Sequence, residues 1–196
     1  FEILTSIYPA KGPDYFLQIA GAKMIYNPRR IMFDRVTDIW TGDEENGYKR
    51  LDFSRSNKTL LRVTADIYNA TFLKIIGGYT YNILEIIPKD KNGTPIENLS
   101  SAVIDGDKTL GGIQELKEWK APFEYLASLE NKNKDVPELP TKYSKKLGRI
   151  ISAPSINPVK LVRNGTWLTW AAVGVMALGL CIVLALIGVV VKKFNQ

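Results

Sequence analysis

Residues 167–191 are 25 consecutive positions without a charged side chain, and only Lys192-Lys193-Phe194-Asn195-Gln196 follows them. A helix rises about 1.5 Å per residue and the hydrocarbon core of a bilayer is about 30 Å thick, so about 20 residues suffice and this run crosses with room to tilt. Trp167 and Trp170 stand at its leading edge, where indole rings favour the headgroup zone, and Lys192 and Lys193 mark the other edge. A buried core helix of equal apolarity needs a large protein around it and gives no reason for the terminal position. The sequence therefore predicts one transmembrane helix over 167–191 with a short basic tail over 192–196. Gly174 and Gly179 are five apart rather than four, so the span lacks a Gly-x-x-x-Gly dimerisation face. Cys181, at mid-span, reads as an apolar filler.

Charge divides the chain at the same end. The net charge is +6 over 196 residues, but residues 1–141 hold 18 basic against 20 acidic side chains, whereas 142–196 hold 8 basic and no acidic ones. A near-neutral body on a basic stalk is not the spread positive face of a nucleic-acid binder. The stalk charges ahead of the span are Lys142, Lys145, Lys146, Arg149, Lys160 and Arg163. Near anionic lipid each is worth about 1 kcal/mol, so headgroups or an acidic partner face are the expected contacts, against a simple solvated stalk.

Two absences limit the chemistry. The chain has no histidine, and its only cysteine lies within the apolar run. Ser-His-Asp and Cys-His catalysis, zinc sites on His or Cys, blue copper, and haem or iron–sulfur ligation through those residues are excluded, as are disulfides within the chain. The remaining candidates are weak. Asp43-Glu44-Glu45 reads as a solvated turn, Asp105-Gly106-Asp107 lacks the later Glu of a calcium loop, and Ser144-Lys145 has none of the apolar surroundings a Ser–Lys dyad needs. Neither Gly77-Gly78 nor Gly111-Gly112 has the strand–glycine–helix context of a phosphate loop. The expectation is a protein that is not an enzyme and uses no cofactor, metal or small-molecule substrate.

Sidedness rests on sequons, because cations flank the span on both sides. Twelve Asn and 21 Ser or Thr predict roughly one Asn-x-Ser/Thr by chance, yet five occur, at Asn57, Asn69, Asn92, Asn98 and Asn164. Asn164 is too near the span to be a useful acceptor, which leaves Asn57, Asn69, Asn92 and Asn98 as glycosylation candidates. The N-terminal body is therefore expected outside the cell or in a lumen, with the short tail in the cytoplasm. No leader pattern opens the chain at Phe1, as expected of a processed form.

Within the body, residues 1–130 read as a β-rich domain. Leu61, Val63, Ala65 and Ile67 alternate with polar neighbours over 59–68, and Tyr15, Leu17 and Ile19 keep the same period. Gly77-Gly78 between 71–76 and 79–87, and Asn46-Gly47 between 31–40 and 48–53, are hairpin turn signals. Ile113, Leu116, Trp119, Phe123 and Leu126 fall on one helical face, with Pro122 dividing 111–130 into two short helices whose Trp119 and Phe123 face the core. Residues 131–166 are a Pro-containing basic linker or stalk. The fold class predicted is thus a mainly β ectodomain, two-layer and sandwich-like, with one or two short helices and one C-terminal transmembrane α-helix. Function follows by exclusion as a non-catalytic accessory or structural subunit of a larger membrane complex, with membrane lipid and other membrane-protein subunits as partners. The alternative is a surface or virion-envelope glycoprotein acting in adhesion or shell assembly.

Overall fold

The structure is a computed structural model that describes residues 1–3, 5, 6, 18–54, 56–129 and 138–194. They fall into two compact units: Phe1–Asn57 together with Gly148–Gln196, and Lys58–Leu147, which is inserted between them in chain order.

The first unit is built on a four-stranded sheet of β1 (Ala22–Tyr26), β2 (Val36–Asp43), β3 (Gly47–Arg50) and β4 (Ile150–Ser152), in the order β3-β2-β1-β4. β2 runs antiparallel to both β1 and β3, while β4 lies parallel to β1, with Met24 opposite Ile39 on one side and Ile150 on the other. The hairpin expected at Asn46-Gly47 is present, with a shorter loop because β2 continues to Asp43. The Asp43 carboxylate accepts the N–H groups of Glu45 (2.9 Å) and Asn46 (2.6 Å), which makes the acidic cluster a self-capped, exposed turn. Gly42 is required there: its φ is +131°, and a Cβ would sit 2.1 Å from the Gly47 carbonyl oxygen.

Met24 is wholly buried and Val36 nearly so, with Ile19, Tyr26, Ile39 and Ile150 packed against them. Ile150 corrects the reading of 131–166 as a linker. The N–H of Met24 donates to the Arg149 carbonyl at 2.7 Å, that of Ala153 to Tyr26 at 2.9 Å, and Asn27 clasps the Ser155 backbone through both ends of its amide. Pro154 and Pro158 do not forbid this strand because they lie beyond it, Pro158 at the first position of the helix that follows, where its missing N–H costs no bond. Residues 131–137 of the expected linker lie outside the described residues, as do Tyr15 and Leu17 of the expected early strand.

In the second unit the β reading fails. Residues 59–66 join no ladder, and 67–79, expected as strand and hairpin turn, form a helix, α1 (Ile67–Tyr79). Asp66 is its N-cap, accepting the Asn69 N–H at 2.8 Å, and Thr80 closes it with N–H bonds to the Ile76 and Gly77 carbonyls. Ile76 and Thr80 are buried and 66, 69, 70, 72, 73 and 77 half-buried, a helical period that Gly77-Gly78 masked. Of the two helices expected over 111–130 one forms, α2 (Lys120–Ala127), with Pro122 in its first turn. Residues 111–115 instead turn back so that Glu115 bridges Asp105. Short 3-10 turns at Leu99–Ala102 and Thr141–Ser144 complete the unit. A second sheet is not found among the described residues, so the layered sandwich is not formed there.

Behind β4 the first unit continues into a five-residue helix, α3 (Pro158–Val162), and then α4 (Trp167–Phe194). α4 is 28 residues long with a mean hydropathy of 2.9 over its most apolar window, and it is the one helix among the described residues long and apolar enough to cross a membrane. At about 1.5 Å per residue it extends about 42 Å, more than the hydrocarbon thickness.

Candidate functional site at the foot of the apolar helix

The first turn of α4 is held by a polar cluster that the sequence reading missed. Residues 31–40, read as strand, begin as a tight turn: the Asp34 N–H returns to the Ile31 carbonyl at 3.2 Å, and Phe33 takes a φ of +62°. This turn directs the Asp34 carboxylate at α4, where one oxygen accepts the Thr166 N–H at 2.8 Å and the Thr169 hydroxyl. Both side chains are buried, Asp34 at 1% exposure and Thr169 at 6%. An anion at a helix N-terminus satisfies orphan N–H groups and meets the positive end of the helix dipole, an effect of up to about 2 kcal/mol in partly buried geometry.

Arg30, one helical turn before Asp34 in sequence, neutralises the cluster. Its guanidinium lies 3.4 Å from the second Asp34 oxygen and donates to the Arg163 carbonyl at 2.7 Å, so a single buried cation ties the carboxylate to the segment entering α4. Gly165 completes the close approach, since a Cβ there would meet Thr169 Cγ2 at 2.8 Å and the Val162 carbonyl at 2.9 Å. A second carboxylate braces the turn from behind. Glu2 accepts the N–H groups of Arg35 and Val36, each at 2.7 Å, and Ser6 accepts that of Phe33 at 2.9 Å. Burial pushes the Glu2 carboxyl above the ordinary glutamate range, with the two backbone donors pulling it the other way. In this arrangement both carboxylates are occupied by backbone, hydroxyl or guanidinium donors, which join the turn to the foot of α4.

The residues singled out in the sequence are dispersed. Of the basic stretch, Lys142, Lys145 and Lys146 belong to Lys58–Leu147, and Arg149, Lys160 and Arg163 to the sheet-bearing unit. Arg149 donates to the Ile19 carbonyl at 3.1 Å, Lys142 lies 5.3 Å from the Tyr143 ring centre, and Lys160 and Arg163 line a shallow groove of about 270 Å³ with Asn27, Thr37 and Asp38. Trp167 and Trp170 are exposed on the first turn of α4, and Lys192 and Lys193 on its last.

The sequons differ in presentation. Asn92 and Asn98 are exposed, on a turn and capping a 3-10 turn respectively. Asn57 donates its side-chain amide to the Asp52 carbonyl at 2.8 Å, and Asn69 lies in the first turn of α1 with its amide on Asp66. Asp105 and Asp107 serve their own turn, accepting from Gln114 and Thr109. Among the described residues no group of three His, Cys, Asp or Glu side chains is placed to hold a metal ion. The Arg30–Asp34 spacing was visible in the sequence, but nothing there linked it to residues 132 and 135 positions further on. Compared with protein-family models, with curated proteins and with solved structures, the chain matches none.

Proposed function

We propose that the chain is a non-catalytic accessory or structural subunit of a larger membrane complex, held by one C-terminal transmembrane helix. The observation that carries this is the surface of Lys58–Leu147. Its one buried large hydrophobic among the described residues is Ile76, while Val63 (77% exposed), Trp119 (64%) and Phe123 (68%) stand in the open. A unit of this size folding for itself normally removes well over half its chain surface from water, and an exposed aromatic pair such as Trp119–Phe123 is what a protein–protein contact uses. A neighbouring subunit that covers these side chains supplies the missing burial. The clamp at Asp34 fixes the sheet of the first unit to the apolar helix.

The folded part is proposed to lie on the outer or lumenal face, with the tail in the cytoplasm. Five sequons support this, two of them on exposed turns at Asn92 and Asn98. The test is purification of the full chain from its native membrane in mild detergent, with endoglycosidase treatment of the same material. Stoichiometric heterologous subunits and a mobility shift are expected. A clean monomer would overturn the complex, a homo-oligomer alone would favour the adhesion or envelope-shell reading, and an unshifted band with a cytosolically accessible body would reverse the topology.

A further inference from the structure

We infer that the turn at residues 31–34 is a second membrane contact, in which Ile31 and Met32 enter the headgroup–acyl boundary of the leaflet that α4 enters first. The inference rests on α4 crossing a bilayer. Tight turns are normally built from Gly, Pro, Asn, Asp and Ser, which supply the required φ or a local hydrogen bond, and such connections run over the protein surface. This one presents Ile31 at 40% and Met32 at 48% exposure, with Phe33 half-buried beside them in a left-handed conformation. Such a tip has no rationale in water and an evident one in lipid.

Its position supplies the occupant. The last residue of the turn, Asp34, is hydrogen-bonded to Thr166 and Thr169, which bracket the first residue of α4. Consecutive Cα atoms are about 3.8 Å apart, so Met32 lies within about 8 Å of Asp34 along the chain. The polar zone on each side of the hydrocarbon is itself about 5–8 Å deep. With Trp167 and Trp170 at that level, the turn tip falls within reach of the lipid surface, and the buried ion pair denies it the freedom to swing away. The charges beside it have the matching sign: Arg29 precedes the turn and is exposed, and Lys160 and Arg163 are exposed on the segment that leads into α4. Apolar tips flanked by guanidinium and ammonium groups suit a boundary where acyl chains end and phosphates begin. A protein partner would need to occupy the same layer as the lipid headgroups around the helix foot.

The test places one spin label at a time on the full chain in a C181A background, reconstituted into phosphatidylcholine vesicles with a minor fraction of phosphatidylglycerol. Labels go at M32C, at E45C on the hairpin tip at the far end of β2, and at L184C in the middle of α4. Collision with membrane-soluble oxygen relative to a water-soluble nickel chelate is expected to be several-fold higher at 32 than at 45, and highest at 184. A ratio at 32 equal to that at 45, with 184 still buried in lipid, would overturn the turn contact alone. A water-like ratio at 184 would overturn the membrane span and this inference with it. A label at 32 shielded from both reagents would point to a protein on the turn and would also overturn the inference.

Discussion

The sheet-bearing unit seals a small core of its own at Met24 and Val36, whereas Lys58–Leu147 buries only Ile76 among its described large hydrophobics. In the first, Met24 is sealed, and the buried polar residues Asn27, Arg30 and Asp34 find partners 128 to 135 positions away in the chain. In the second, the described hydrogen bonds are mostly local: an Asx cap at Asp66, turns closed by Asp90 and Asp107, and a Thr80 hydroxyl bonded within four residues. Local bonds fix the shape of a segment without fixing what covers it. Long-range buried polar pairs do the reverse, since they are satisfied in only one arrangement and are costly in any other. The first unit therefore carries its specificity in long-range buried pairs, and the second leaves most of its large apolar side chains uncovered among the described residues.

The largest effect belongs to the first unit. Asp34→Ala leaves the Arg30 charge buried without its counter-ion and uncaps α4, with an expected loss of about 3–5 kcal/mol in denaturant unfolding of the full chain in detergent micelles. Replacing both partners, Arg30→Met with Asp34→Leu, should recover the part of that loss due to the stranded charge and leave the part due to the lost cap on Thr166 and Thr169. A cost under about 1 kcal/mol for Asp34→Ala would place this unit in the same class as ordinary surface positions and erase the contrast.

The second unit should respond to partner rather than to fold. Trp119 and Phe123 stack edge to face with ring centres 6.1 Å apart and both are exposed, so Trp119→Ala with Phe123→Ala is expected to change the stability of the isolated chain by about 1 kcal/mol or less. The same double change should weaken association with the neighbouring subunit at least tenfold, about 1.4 kcal/mol, measured by titration in detergent. Equal affinity would show that this aromatic pair is not the covered surface.

The same contrast explains what could be read in advance. The long apolar helix was legible because 25 consecutive uncharged residues carry a strong length and hydropathy signal, and α4 begins at Trp167 as expected. The Asn46-Gly47 hairpin was legible because positive φ at Gly47 restricts the residue choice. Residues 59–68 misled because alternation is a sheet signal only when a neighbouring strand exists, and Asp66 as a helix cap outweighs the pattern around it. Trp119 and Phe123, expected to face the core, are instead exposed, because the helix begins only at Lys120 with Trp119 as its cap, and a periodic apolar face does not reveal whether anything in the chain covers it. β4 was hidden by its surroundings: three residues amid prolines carry little signal, and their strand character comes from β1. The clamp was invisible because its two halves are brought together only by that same sheet.

Acid acts on Glu2 and Asp66 with opposite signs. Burial raises the Glu2 carboxyl of the first unit above its ordinary value of 4.5, so its charged form is disfavoured in the fold. As pH falls through the raised value towards 4.5, the native state takes up more protons than the unfolded chain, and the sheet-bearing unit gains stability. Asp66 behaves oppositely. The Asn69 N–H holds its carboxyl below the ordinary 3.8, so its contribution to α1 is complete above 3.8 and is lost as pH falls through the lowered value. Removing the cap outright, Asp66→Ala, is expected to cost α1 about 1 kcal/mol, with Asp66→Asn retaining most of it. Amide exchange protection, corrected for the intrinsic pH dependence of exchange, should therefore rise in β2 between neutral pH and 4.5 and then fall in α1 below 3.8. Glu2→Gln should abolish the first change and leave the second. If β2 and α1 instead moved together through both ranges, the two units would be one cooperative body, and the contrast between them would not hold.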